Sequence, residues 1–165
     1  MGKVLSKFTN GWPGTVSRVK DDVIVSLKNV GQTAIQFGDP VFLHNGVTPG
    51  GVRGFISGTT TENEFVGFAV RVPDKTPETW GNNQNAGEFK VGEAVDVLVR
   101  GSLTIACGTS SAKIGNPLYI RKTDSALVTN PGTEGTTVPV PDTYIRTQRD
   151  SAYNCEVVVT RRHLQ

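Results

Sequence analysis

Apolar and polar residues alternate with period two along most of this chain, and no stretch sustains a helical period. Val23, Val25 and Leu27 fall on one face of a predicted strand, with Asp22, Ser26 and Lys28 on the other. Val66, Phe68, Val70 and Val72 oppose Phe65, Gly67, Ala69 and Arg71. Val95, Val97 and Val99 oppose Asp96, Leu98 and Arg100, and the odd positions continue past Gly101 to Leu103 and Ile105. That run predicts one curved strand with a bend or bulge at Gly101 that keeps its face. Cys155, Val157 and Val159 alternate with Glu156, Val158 and Thr160. β-Branched richness and closely spaced Gly and Pro turns place the chain in the all-β class, as a small β-barrel or jelly-roll-like sandwich.

One unit of turn and strand occurs twice. Phe37-Gly38-Asp39-Pro40-Val41-Phe42-Leu43 and Ile114-Gly115-Asn116-Pro117-Leu118-Tyr119-Ile120 share the order apolar, Gly, polar, Pro, apolar triplet. Val91-Gly92-Glu93-Ala94-Val95 is a weaker copy. Gly permits the bend, and Pro fixes φ at a strand's first residue, where a missing N–H does least harm. The unit launches strands and carries no chemistry. Tyr119, as the counterpart of Phe42, is expected in the core.

Three segments escape the alternation: 1–20, 73–90 and 130–142. They are read as an N-terminal arm (1–20) ahead of a single β domain (21–165) with long loops at 73–90 and 130–142. Segments of this length without periodicity are functional or disordered more often than not. The only tryptophans, Trp12 and Trp80, lie in two of them. A Trp in a polar segment suits an interface anchor, so the candidate interface comprises Trp12, Pro13, Arg18, Trp80, Asn82 and Asn83. The other reading folds each Trp back as a lid on its own barrel end.

Charge and chemistry subtract possibilities. With 17 basic and 15 acidic residues the net charge is +2, without the concentrated basic face of a nucleic-acid binder. Arg161-Arg162 reads as a solvated tail. No apolar stretch is long enough to cross a membrane, and Met1 to Ser6 lack the apolar core of a signal peptide. Cys107 and Cys155 are expected as buried free thiols, although two cysteines allow one bridge. His44 and His163 show no metal-ligand spacing, and no nucleophile elbow or phosphate cradle is present. Glu93 and Asp96 point to opposite faces of a strand, and Glu88 lies near them only in sequence. No catalytic residue, metal site or cofactor is expected. The competing function is a virion-associated or cell-surface carbohydrate-binding module, for which Trp12, Trp80, Tyr119, Tyr144 and Tyr153 would supply stacking surfaces.

Several stretches in order resemble the structural cement, or head decoration, proteins of tailed bacteriophages. They are Gly11-Trp12-Pro13-Gly14-Thr15-Val16-Ser17-Arg18, then Asp21 to Ile24, Phe37 to Val41, and Gly67 to Val72 leading to Lys75-Thr76-Pro77. Val91 to Ser102, Gly115 to Arg121 and Val128 to Gly132 follow. The run Val91 to Ser102 is the most specific. The resemblance implies a non-enzymatic protein that adds to the outside of the capsid shell, having been made and assembled in the host bacterial cytoplasm. It implies bridging of neighbouring major capsid proteins, resistance to the pressure of packaged DNA, and a homo-oligomer (trimer or dimer) on a local symmetry axis. It implies no direct contact with nucleic acid or membrane, and brings no catalytic residues.

Overall fold

The computed structural model describes residues 10–44, 53–57, 64–73, 87–109 and 111–160. Among them are eleven strands and no α-helix. The strands are β1 (Val16–Lys28), β2 (Ile35–Gln36), β3 (Pro40–Leu43), β4 (Phe55–Ser57), β5 (Glu64–Ala69) and β6 (Glu88–Phe89). Then come β7 (Ala94–Ala106), β8 (Pro117–Arg121), β9 (Leu127–Val128), β10 (Thr137–Ile145) and β11 (Asn154–Val159). Nine of them form one sheet in the order β4-β3-β5-β7-β11-β10-β8-β9, with β1 added along β7, while β2 and β6 pair separately. The chain is all-β, as the alternation predicts.

Strand β7 divides the sheet into two lobes. Its first half pairs with β5 (Phe68 opposite Leu98), and its second half with β11 (Cys155 opposite Ile105), while β1 pairs along it. The first lobe runs β1-β7-β5-β3-β4 and then returns to the end of β1. Asn29 bridges Phe55, and the Val30 N–H donates to the Phe55 carbonyl at 2.9 Å. Asn29 is fully buried, and its side chain bonds Thr33 O, Phe89 O and Gly31 N–H, so the seam leaves none of its polar groups bare. The second lobe runs β7-β11-β10-β8-β9 and returns through Gly108 N–H to Leu127 O at 2.8 Å. The first lobe therefore closes on β1 and the second beside the end of β7, which limits the exposed edges of the sheet.

Two cores follow from this plan. One fills the first lobe with Ile35, Phe37, Val41, Phe55, Val66, Phe89, Val95, Val97 and Val99. The other lies between the lobes, with Phe42, Phe65, Phe68, Leu98, Leu103, Ile105, Leu118, Ile120, Ile145, Val157 and Val159. Phe65 stacks edge-on against both Phe42 and Phe68. Each fully buried aliphatic or aromatic side chain contributes roughly 2 kcal/mol.

Strands β3, β5 and β7 stand between the cores and are buried on both faces, which changes several expectations. Alternation across Gly101 does not keep one face. Val95, Val97 and Val99 fill the first core, whereas Leu103 and Ile105 fill the second. The parity changes between Val99 and Leu103, where Gly101 stands at φ +123° and the pairing with β1 is irregular, while β7 stays continuous. Likewise Val66 does not share a face with Phe68 and Val70. Val41 opposes Gly67 and Phe42 opposes Phe65, a bulge that puts Phe65 with Phe68 and Val70, and Val66 with Ala69. Val25 and Leu27 do pack on the first core, but Val23 is 46% exposed, because the register with β7 shifts between Val23 and Ile24.

Tyr119 is not in the core. Leu118 and Ile120 take the inner face of β8 and turn Tyr119 outward, whereas Phe42 is buried because β3 has a core on either side. Residues 137–142, expected in a loop, belong to β10. The expected boundary at residue 20 falls inside β1.

Close approach at Gly67 holds the lobes to the spine. A Cβ there would lie 2.0 Å from the Leu98 carbonyl oxygen, a backbone atom that cannot move aside. Gly67→Ala is expected to lower the urea-unfolding stability by about 1–3 kcal/mol. Gly108→Ala, where the nearest atom is at 3.4 Å, serves as the near-neutral control. Equal midpoints for the two variants would contradict this packing of β5 on β7.

Candidate interface and cleft

The residues that chemistry would need do not converge. His44 lies at the end of β3, its N–H donating to Gly54 O at 3.0 Å. Glu88 accepts from Gln36 Nε2 at 2.7 Å, Glu93 accepts from the Lys90 N–H at 2.8 Å, and Asp96 accepts from Ser26 Oγ. The three carboxylates serve three different local bonds. Among the described residues, no three His, Cys, Asp or Glu side chains gather where they could hold a metal ion.

A cleft of about 500 Å³ opens between the lobes. Its walls are the first launch turn (Phe37 to Pro40), the end of β7 (Ala106 to Gly108), the turn Asp124 to Leu127, and Arg149 with Tyr153. Asp39 and Cys107 both border it, so thiol and carboxyl do share a cavity wall. Each is engaged in the fold: Asp39 Oδ2 accepts from the Gln36 N–H at 3.0 Å, and the Cys107 thiol hydrogen-bonds to Cys155. Asp124 is gripped at both oxygens by Arg121, which holds its carboxyl down to about 2. Arg149 lies 4.6 Å above the Tyr153 ring and donates to the Cys107 carbonyl at 3.4 Å. No acid–base pair or nucleophile–base pair faces an open position in the cleft.

The candidate interface begins on a strap that runs across the second half of β7. Asn10 N–H donates to Asp150 Oδ2 at 2.8 Å, and Asn10 Nδ2 to Gln148 O and Asn154 O, each at 2.8 Å. Gly14 N–H donates to Thr104 O at 2.8 Å, and Thr104 N–H to Thr15 O at 2.9 Å. Asn154 Nδ2 donates to Gly11 O at 3.0 Å. Beneath the strap lies a polar layer instead of a third apolar core: Ser102, Thr104, Asn154 and Glu156 are buried, and Ser17 Oγ donates to Glu156 Oε1 at 2.7 Å. Polar groups can be buried there because the strap's backbone accepts from Thr104 and Asn154, while the Arg146 and Ser17 side chains meet Ser102 and Glu156.

Trp12 rides on this strap and is 41% exposed, while its neighbour Pro13 is buried. Arg18 stands in β1 opposite Ser102. Trp80, Asn82 and Asn83 lie outside the described residues, as do His163 and Arg161-Arg162. Alternation gives no hint of two other exposed apolar sites. Ile114 (69% exposed) and Tyr144 (40%) flank the second launch turn, where Pro117 opposes Tyr144. Tyr153 (62%) sits at a left-handed φ of +67° in the turn before β11, lifted out by Asp150, whose Oδ1 accepts from Ala152 and Asn154 N–H. Asp150 three residues ahead of Tyr153 is the one sequence signal for that turn.

The comparisons with known proteins agree in kind. A family model described as "Structural cement protein (E217 gp24/Pam3 gp6)" matches residues 3–160. A chain in a solved structure of the capsid of Myoviridae phage XM1 is similar in fold, with a TM-score of 0.69 and 16% identity, covering 96% of each chain. No curated protein sequence matches.

Asp39 supplies a pH test of the cleft. Burial pushes its carboxyl up to about 6, against the opposing Gln36 hydrogen bond. The folded protein then binds this proton more tightly than the unfolded chain, whose carboxyl titrates near 4. Its contribution to stability is therefore greatest at acid pH and declines as pH rises from about 4 to about 6, by on the order of 3 kcal/mol. Asp39→Asn keeps an acceptor for Gln36 and is expected to raise the urea midpoint at pH 7.5 and leave it unchanged at pH 4. An equal effect at both values would rule out the buried carboxyl as the cause.

Proposed function

We propose that this chain, which belongs to the structural cement protein family, binds the outer surface of a phage head, bridges neighbouring major capsid proteins and holds the shell against the pressure of packaged DNA. Membership makes it a structural protein of the virion that associates with capsid proteins, in a family without catalytic activity. The observation that carries the reading is the match over residues 3–160, which takes in every strand of the fold.

Physical features of the fold support the finer claims. A cement must transmit load between shell proteins without yielding, and two lobes curled on one doubly buried strand resist shear better than an open sheet. Grip on a shell comes from many identical weak contacts more than from one tight one, so each copy needs only a modest anchor. Trp12 suits that role. It is a large, rigid side chain on a strap whose backbone is already fixed, so little ordering entropy opposes its docking. The proposed interface includes Pro13, Arg18, Trp80, Asn82 and Asn83, against the capsid or a sister copy in a dimer or trimer.

Trp12→Ala is expected to weaken binding to purified heads by on the order of 2 kcal/mol, roughly 30-fold. Occupancy is measured by co-sedimentation across a titration of the protein, with Trp80→Ala in parallel. Unchanged occupancy for both variants removes the two anchors; failure of the wild type to sediment with heads removes the cement role itself.

A further inference from the structure

Two thiols meet at the base of the second lobe. Cys155 stands opposite Ile105 and Asn154 opposite Ala106. The Cys107 N–H, one residue past β7, donates to Tyr153 O at 2.8 Å and so continues the register. Cys107 and Cys155 are therefore diagonal cross-strand neighbours on one face, and both belong to the core between the lobes. Their side chains hydrogen-bond to each other, with Cys107 Sγ also 3.9 Å from Thr109 O. Both are free and buried. Cys107 borders the cleft and Cys155 does not, so a small molecule entering there reaches one thiol first.

We infer that Cys107 and Cys155 are the halves of an intrachain disulfide that closes in an oxidising medium and staples the second lobe. The chain between them holds β8, β9 and β10, so the bond would tie down the base of that lobe and restrict its unfolded states. The oxidant assigned is a peroxide, small enough for the cleft. The Cys107 thiolate attacks one peroxide oxygen, the O–O bond breaks, hydroxide leaves, and Cys107 becomes a sulfenic acid. Cys155 sulfur then attacks Cys107 sulfur, the S–S bond forms, and the sulfenic oxygen leaves as water with the Cys155 proton. Two thiols and one hydrogen peroxide give one disulfide and two waters.

The environment assigns the order of events. The hydrogen bond from Cys155 holds the Cys107 thiol down to about 6. The same contact and burial push Cys155 up. Cys107 borders the cleft and Cys155 does not, so Cys107 is the thiol that meets the peroxide and Cys155 the resolving thiol. Diagonal neighbours in a regular ladder are about 7–8 Å apart, longer than the span a disulfide prefers. Cys107 lies beyond the last residue of β7, so closing the gap shifts that strand end together with the bond from Gly108 N–H to Leu127 O beside it. The strained bond would be easily reduced, leaving free thiols in a reducing cytoplasm and a disulfide outside it.

The test treats purified, fully reduced protein with hydrogen peroxide and measures intact mass, thiols titrated in denaturant, and the urea midpoint. Expected for the wild type are the loss of two hydrogens, disappearance of both thiols, a higher midpoint, and reversal by dithiothreitol. In Cys155→Ser the same treatment is expected to leave a sulfenic acid on Cys107, captured by dimedone, with no rise in midpoint. Wild-type thiols that survive peroxide, a product carrying added oxygen, or a disulfide between two chains would each overturn the assignment. These wild-type readouts stand even if the variant does not fold.

Discussion

Strand β7 has a partner on each edge and a core against each face, and the rest of the molecule is arranged around that fact. Burial on both faces demands apolar residues of both parities, which Val95, Val97, Leu98, Val99, Leu103 and Ile105 supply. Adjacent residues of the first half of β7 serve the two cores directly, Val97 the first and Leu98 the second, and beyond Gly101 the parity changes so that Leu103 and Ile105 join Leu98. Gly101 stands within this change at a φ of +123°, a conformation that residues with a side chain rarely adopt. Asp22 fills the space that the absent Cβ leaves, with its Oδ1 placed 2.0 Å from where that carbon would be.

From this spine the lobes close by different means. The first is sealed by Asn29, a buried polar residue whose bonds tie the end of β1 to β4 and to the loops around β2 and β6. The second is sealed by single backbone bonds through Gly108, with Thr129 N–H to Thr109 Oγ1 at 2.9 Å beside it. The lighter seam belongs to the lobe that carries the two thiols at its base. The strap from Asn10 to Thr15 adds a third cover over β7 and β11, polar where the other two are apolar. It is this rigid backing that makes Trp12 a projecting group instead of a loose one.

The same constraint bears on what the protein does. Glu88, Glu93 and Asp96 serve three separate local bonds, and among the described residues no His, Cys, Asp and Glu side chains gather as a metal site. What the surface offers is shape: Trp12 on its strap, Ile114 and Tyr144 beside the second launch turn, and Tyr153 over Arg149. Such a scaffold is in keeping with a family of structural capsid proteins.

The all-β class, the continuity of β7 and the turns that launch β3 and β8 were legible in the residues, because period-two alternation and the Gly-polar-Pro order are local properties of the backbone. The family was legible too, since its motifs are contiguous. Which core a residue joins was not. Val66 and Phe65 look equivalent in sequence, as do Phe42 and Tyr119, and their fates differ because a bulge or a second covering layer is supplied by strands far along the chain. The strap's bonds, the cleft and the meeting of Cys107 with Cys155 belong to the same kind: each depends on which distant backbones come together, and alternation along one strand carries no information about its neighbours.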